Sequence, residues 1–130
     1  MIILTIRTDK PEAELGLFDD DKKSAYETWE AHRQLAETIH QKIKAMLKSQ
    51  KKTWQDIQGI VCFQGPGSFT GLRIGLTVGN ALSYGLQVPI VAAKGDDWIQ
   101  VGLTCLQKGN NDQLAMPEYD SPVHITLPRK

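Results

Sequence analysis

The chain has 130 residues, enough for one domain core and too few for two independent lobes. Its 15 Lys and Arg balance 15 Asp and Glu, which argues against a nonspecific nucleic-acid binder and assigns any such contact to a partner. Cys62 and Cys105 have no zinc-ligand spacing, charged residues follow the first strand too soon for a signal peptide, and no apolar run spans a membrane. A reducing, cytoplasmic setting is expected.

Residues 2–8 read as a buried strand that Pro11 ends. Residues 12–18 alternate, with Ala13, Leu15 and Leu17 against Glu12, Glu14 and Gly16, as in a half-exposed antiparallel strand. Asp19, Asp20, Asp21, Lys22 and Lys23 make a charged hairpin turn, and residues 25–30 a third strand with Tyr26, Thr28 and Trp29. The period then changes. Leu35, Ile39, Ile43, Met46 and Leu47 recur at helical spacing over 33–49, a first amphipathic helix. Thr53 to Asp56 forms a capping box ahead of a short helical turn, and residues 57–63 form a central strand.

A glycine turn follows, then a second helix over about 70–85. Residues 88–93 form a strand with an early proline, 96–106 a third helix and 108–112 a loop. The tail, 114–130, carries Pro117, Pro122 and Pro128 and reads as extended, lying over the domain surface. The division is thus a lobe over 1–107 and a loop and tail over 108–130. An antiparallel meander that adds parallel strands through two helices is an α/β domain with a mixed five-stranded sheet.

The turn Gly65, Pro66, Gly67, Ser68, Phe69, Thr70, Gly71 with Arg73 is the feature that decides the function. A helix N-terminus exposes unpaired N–H groups, so such a turn can cradle an anion. It fails each sharper pattern. No Gly-Lys pair makes a phosphate loop, the third glycine of a dinucleotide fingerprint falls at Thr70, and a nucleophile elbow would need glycines where Pro66 and Thr70 stand. Ser68 reads as a helix cap. His32 and His40 lie eight apart, not at a metal-binding i, i+4 spacing, and His124 stands alone. Arg73, in the first helical turn, opposes the helix dipole and asks for a carboxylate or phosphate. A structural ion pair answers that equally.

Gly71, Gly75 and Gly79 then line one side of the second helix at a spacing of four. Each costs about 1 kcal/mol relative to alanine in a helix, so bare backbone is needed there for a close approach. Leu72, Ile74, Leu76, Val78, Ala81, Leu82 and Leu86 make the other sides apolar too. Two readings stand: a wholly intramolecular core helix, or one covered in part by a partner's helix.

The run from Gly65 to Leu82 resembles the hallmark of the TsaB (YeaZ) family. Trp54 to Ile60, His32 to Leu47, Pro117 to Tyr119 and Pro122 to Lys130 are similar to its approach to the turn, its first helix and its tail. The resemblance implies a single actin-like ATPase (ASKHA, ribonuclease H-like) lobe. It implies a noncatalytic partner of TsaD, the catalytic paralogue, in making N6-threonylcarbamoyladenosine (t6A) on tRNA, with the ATPase TsaE joining in bacteria. The pairing it implies is helix to helix. Its expected surface is Leu35, Ile39, Ile43, Leu72, Gly75, Leu76, Gly79, Leu82 and Ser83, and a homodimer is expected when the chain is alone. No cofactor, no metal and no catalytic residue is implied, and tRNA is met only through the partner. The paralogue's metal-binding histidines have no counterpart in Ala92 to Asp97.

Two departures from the family matter. Its first strand ends in a phosphate-facing aspartate where this chain has Arg7, against nucleotide binding. Typical members also carry a second lobe, whereas here one lobe runs into the family's tail, as an internal deletion would leave it. The competing reading is a nucleotide- or anion-binding α/β domain that uses the Gly65 to Gly71 turn.

Overall fold

A buried apolar run, an alternating segment and a more polar one build the first half of the sheet. β1 (Ile2–Arg7), β2 (Glu12–Asp19) and β3 (Lys22–Glu30) form an antiparallel meander. The computed structural model describes residues 1–31, 35–66 and 69–116, without the side chain of Phe69. β1 pairs in parallel with β4 (Gly59–Phe63), and β4 in parallel with β5 (Ile90–Ala93), for a sheet order β3-β2-β1-β4-β5. The expected mixed five-stranded α/β lobe is therefore the observed one.

Several boundaries move, each for a local reason. β3 starts at Lys22, because the hairpin turn needs only Asp20 and Asp21, with Asp20 left-handed at φ 54. Ile57 closes the 3-10 turn Trp54–Asp56 by donating its N–H to Trp54 O at 3.1 Å, so β4 begins at Gly59. The capping expectation holds through Asp56, whose carboxylate accepts from the Thr53 N–H at 2.7 Å. β5 begins at Ile90, because Val88 still donates to Ser83 O at 3.1 Å while the chain leaves the preceding helix.

Three helices cover the sheet: α1 (Leu35–Ser49), α2 (Phe69–Leu86) and α3 (Trp98–Gln107). α1 lies over β2 and α2 over β4 and β1. Alternation along β4 sends Ile60 and Cys62 toward α2, and Val61 and Phe63 toward α3. On the α3 side Gly102 sits against Val61, where a Cβ would lie 2.2 Å from its Cγ1, and Phe63 meets Trp98 edge-on at 5.7 Å. The buried face of α1 is Leu35, Ile39, Ile43, Met46 and Leu47, so its helical stripe is core.

The segment after α3 guards the free edge of β5. Asn111 Oδ1 accepts from the Ile90 N–H at 3.1 Å, and Asp112 Oδ2 from the Ala92 N–H at 2.9 Å. Asn80 on α2 makes paired bonds to the Ala115 backbone, at 3.0 Å to its carbonyl and 2.7 Å from its N–H. Polar side chains thus satisfy an edge that would otherwise pair with another chain. Residues 110–116 are bonded to the lobe as part of it. The rest of the expected tail, with Pro117, Pro122, His124 and Pro128, lies outside the described residues.

Candidate functional site

The ends of the parallel strands and the start of α2 meet at the glycine turn. Gly65 has φ 112, a left-handed value that only glycine adopts without strain. Pro66 and Thr70 are exposed. Gly67, Ser68 and the Phe69 side chain lie outside the described residues, as do His32 and Arg33 before α1.

What the turn delivers is a helix pressed on a strand end. The Thr8 hydroxyl, just past β1, donates to Gly71 O at 2.6 Å and accepts from the Gly75 N–H at 3.1 Å. These two groups are four residues apart, so one hydroxyl bridges a single rung of α2. A Cβ on Gly71 would lie 2.2 Å from Thr8 O, and one on Gly75 2.3 Å from Thr8 Oγ1. Further along, a Cβ on Gly79 would meet Cys62 Sγ at 2.3 Å. The line of glycines therefore faces β1 and β4.

This corrects the partner surface drawn from the sequence. Gly75 and Gly79 face the sheet. Leu35, Ile39, Ile43, Leu72 and Leu76 fill the core, none more than 5% exposed. Ser83 is buried and donates to Val88 O at 2.6 Å. Only Leu82 retains partial exposure. The apolar stripes were read as surplus because sequence shows apolar surface and not the sheet that covers it.

The outer face of the two helices carries a different set. A cleft of about 370 Å³ runs between α1 and α2, lined by Ala36, His40, Thr70, Arg73, Ile74, Thr77 and Val78. Thr77, Ala81 and Tyr84 continue an exposed stripe along α2, and Tyr84 is 87% exposed. No periodicity rule finds these residues, because they are the polar and small positions between the apolar ones. Tyr84, a large ring in a helix's last turn, was the one visible signal.

At the end of β1, Arg7 is absorbed into the fold. Its Nε donates to Asp9 Oδ1 at 2.7 Å, and the guanidinium lies 3.8 Å over the Phe63 ring. Burial works against its charge, but the Asp9 hydrogen bond, then the charges of Asp9, Glu14 and Tyr26, leave its pKa raised. The Tyr26 hydroxyl donates to Glu14 Oε1. Burial first, and Glu14 second, raise its pKa as well. These pairs tie the strand ends to one another. Cys62 is a buried free thiol, pushed up to about 12 by burial. Among the described residues, no group of three or more His, Cys, Asp or Glu is placed to hold a metal ion, and no helix is long and apolar enough to cross a membrane.

Comparison with known proteins places this geometry. The sequence model of the family described as "TsaD: tRNA N6-adenosine threonylcarbamoyltransferase" matches residues 29–94, half of the chain. The tRNA threonylcarbamoyladenosine biosynthesis protein TsaB of Bacillus subtilis (strain 168) is 50% identical over 38 residues, 29% of this chain and 17% of that protein. TsaB of Buchnera aphidicola subsp. Schizaphis graminum is 40% identical over 48 residues, 37% of this chain and 23% of that protein. TsaB of Escherichia coli (strain K12) is 29% identical over 91 residues, 70% of this chain and 39% of that protein. The chain thus spans well under half the length of the curated relatives it matches. Among solved structures, YeaZ from Pseudomonas aeruginosa superposes with a TM-score of 0.68 at 21% identity, over 83% of this chain and 50% of that one. Thermus thermophilus RuvC in complex with a Holliday junction does so with a TM-score of 0.54 at 14% identity, over 95% and 85%. At these identities the structural likeness establishes the fold, a ribonuclease H-like lobe.

Proposed function

As the chain belongs to the TsaD family and is a member of the TsaB (YeaZ) group, we propose that it is a noncatalytic partner of a TsaD enzyme in the t6A modification of tRNA. It acts through a helix-to-helix contact, and the observation that carries this is the outer face of α1 and α2. There an open cleft and an exposed aromatic side chain adjoin on neighbouring helices. The contacting residues in this reading are Ala36, His40, Thr70, Arg73, Ile74, Thr77, Ala81, Leu82 and Tyr84, which replace the buried set. The noncatalytic role is supported by the strand ends. Where the family resemblance puts a phosphate-facing aspartate, Arg7 is paired to Asp9 and stacked on Phe63.

The same face closes on a second copy when the partner is missing, and TsaE joins the heterodimer once it has formed. The competing anion-binding use of the turn gains no support, since Gly71 and Gly75 serve the contact with Thr8.

The test is sedimentation of the chain with TsaD from the same cell, before and after Thr77→Arg and Tyr84→Ala. Both positions are exposed, so the variants fold. A heterodimer that these changes weaken at least tenfold is the expected result. An unaltered complex with both variants, or no complex with the native chain, refutes the reading. Calorimetry with ATP decides the alternative: binding that Gly65 and Thr70 substitutions abolish would revive it.

A further inference from the structure

The chain is neutral overall, yet its charge is not evenly spread. At the end of α1, Lys44, Lys48, Lys51 and Lys52 line one cleft of about 270 Å³ with Leu47, Thr53 and Trp54. All four lysines are exposed, and none of their side-chain amines makes an ion pair or hydrogen bond to a described residue. Lys44 and Lys48 are four apart on one helix face, a repulsive spacing for like charges. The only acidic residue in the stretch 44–56 is Asp56, and its carboxylate is engaged by Thr53.

The backbone builds this cluster. Lys52 donates to Leu47 O at 2.8 Å, wrapping the chain back over the helix end. Lys51 takes the left-handed position of that wrap, with φ 59, where glycine is the common residue. The floor is Leu47, which is buried, and Trp54, which is half-buried with its ring tilted against His40 at a centroid distance of 6.5 Å. Cations around an aromatic face are the arrangement that holds a nucleic-acid strand, with lysines on phosphates and a base stacked on the ring.

We propose that this cleft binds an RNA strand directly, its phosphodiester backbone on Lys44, Lys48, Lys51 and Lys52 and one unpaired base on Trp54. The choice of RNA over other polyanions rests on the tRNA-modification reading above. It also reverses the expectation, drawn from net charge alone, that only a partner touches tRNA. An average over the chain hides a local patch.

The test titrates the full chain with unmodified tRNA and with a single-stranded oligoribonucleotide of roughly 12 nucleotides. Four phosphate contacts predict a salt slope of about −3 in log K against log salt for a single strand. The triple variant Lys48→Glu, Lys51→Glu, Lys52→Glu should bind at least tenfold more weakly and with a slope of smaller magnitude than about −1. Lys108→Glu, at the end of α3, should change neither. Trp54→Ala should lose roughly tenfold and Trp54→Phe much less, because phenylalanine still stacks. Equal affinity and slope in the native chain and the triple variant overturn the proposal, as does the absence of binding by the native chain. Heparin bound as tightly as the oligoribonucleotide, with Trp54→Phe and Trp54→Ala both indifferent, overturns the RNA assignment. Sedimentation with TsaD, run in parallel, separates the two ideas. A heterodimer without RNA binding refutes this site alone, and RNA binding without a heterodimer refutes the partner reading alone.

Discussion

Replacing Gly75 by alanine tests whether the glycine line of α2 serves the sheet or a partner. In a free helix the change is favourable by about 1 kcal/mol. Here the new Cβ would lie 2.3 Å from Thr8 Oγ1, 3.1 Å from Thr8 Cγ2 and 3.2 Å from Thr8 Cβ. The first of these is about 1 Å inside ordinary contact. Threonine is short and stiff at χ1, so it has no flexible end to move aside. Either α2 lifts from β1, at an overpacking cost of about 1–3 kcal/mol, or Thr8 turns and gives up its two bonds to the helix, at about 1 kcal/mol each. Net of the propensity gain, Gly75→Ala should destabilise the isolated chain by about 1 kcal/mol, within a range of about 0–2 kcal/mol.

Gly85, on the same helix, has nothing within 4 Å of its Cβ position. Gly85→Ala should therefore stabilise by about 0.5–1 kcal/mol. Urea unfolding of both variants gives the comparison, and a cycle with Thr8→Ala sharpens it. Once the threonine is removed, Gly75→Ala should turn neutral or stabilising, because Oγ1 and Cγ2 are gone and only the Cβ at 3.2 Å remains. Were Gly75→Ala to stabilise the free chain as Gly85→Ala does, or were the cycle additive, the glycine line would not be held by the sheet. The partner-helix reading of these glycines would then return.

Three further outcomes follow from the same packing. Arg7→Ala leaves Asp9, whose side chain is 7% exposed, without its cation and should cost about 2–4 kcal/mol, read from the urea midpoint. Arg7→Asp should cost more, since it sets a second carboxylate beside the first. Asn80→Ala should remove both anchors of Ala115, raising amide exchange at Ala115 and proteolysis within 110–116 while changing the global midpoint by only about 1–2 kcal/mol. Cys62 has a folded pKa of about 12, above its ordinary value of 9.0. The unfolded chain therefore loses that proton first, and stability is full below about pH 9 and falls as pH rises toward the folded value. Unfolding midpoints at about pH 8 and about pH 10 should show this loss, and Cys62→Ala should remove it. A loss unchanged in Cys62→Ala would assign it to other groups.

Much of the architecture was legible in the residues. The apolar run of β1, the alternation in β2, the helical stripe from Leu35 to Leu47 and the strand-to-turn pattern ending at Gly65 all became the elements they implied. Boundaries slipped where a side-chain pattern continued past a backbone event. Ile57 is as apolar as a strand residue, yet it closes a 3-10 turn. The polar edge guard of Asn111 and Asp112 had no signature, because its partners in β5 are backbone groups some 20 residues away in sequence. The interface failed more deeply: buried leucines and isoleucines dominated a reading in which exposure could not be seen.

The glycine segment shows the division most clearly. Sequence alone determined that a tight turn delivers a helix, and that Gly71, Gly75 and Gly79 exist for a close approach, since three such residues are unfavourable in a helix without one. It did not determine what approaches. Only the tertiary structure set the end of β1 and Cys62 of β4 against that side, and so left Arg73, Thr77, Ala81 and Tyr84 facing outward. The physical reason is that a glycine records the absence of a side chain, and the group that fills the space belongs to a distant part of the chain.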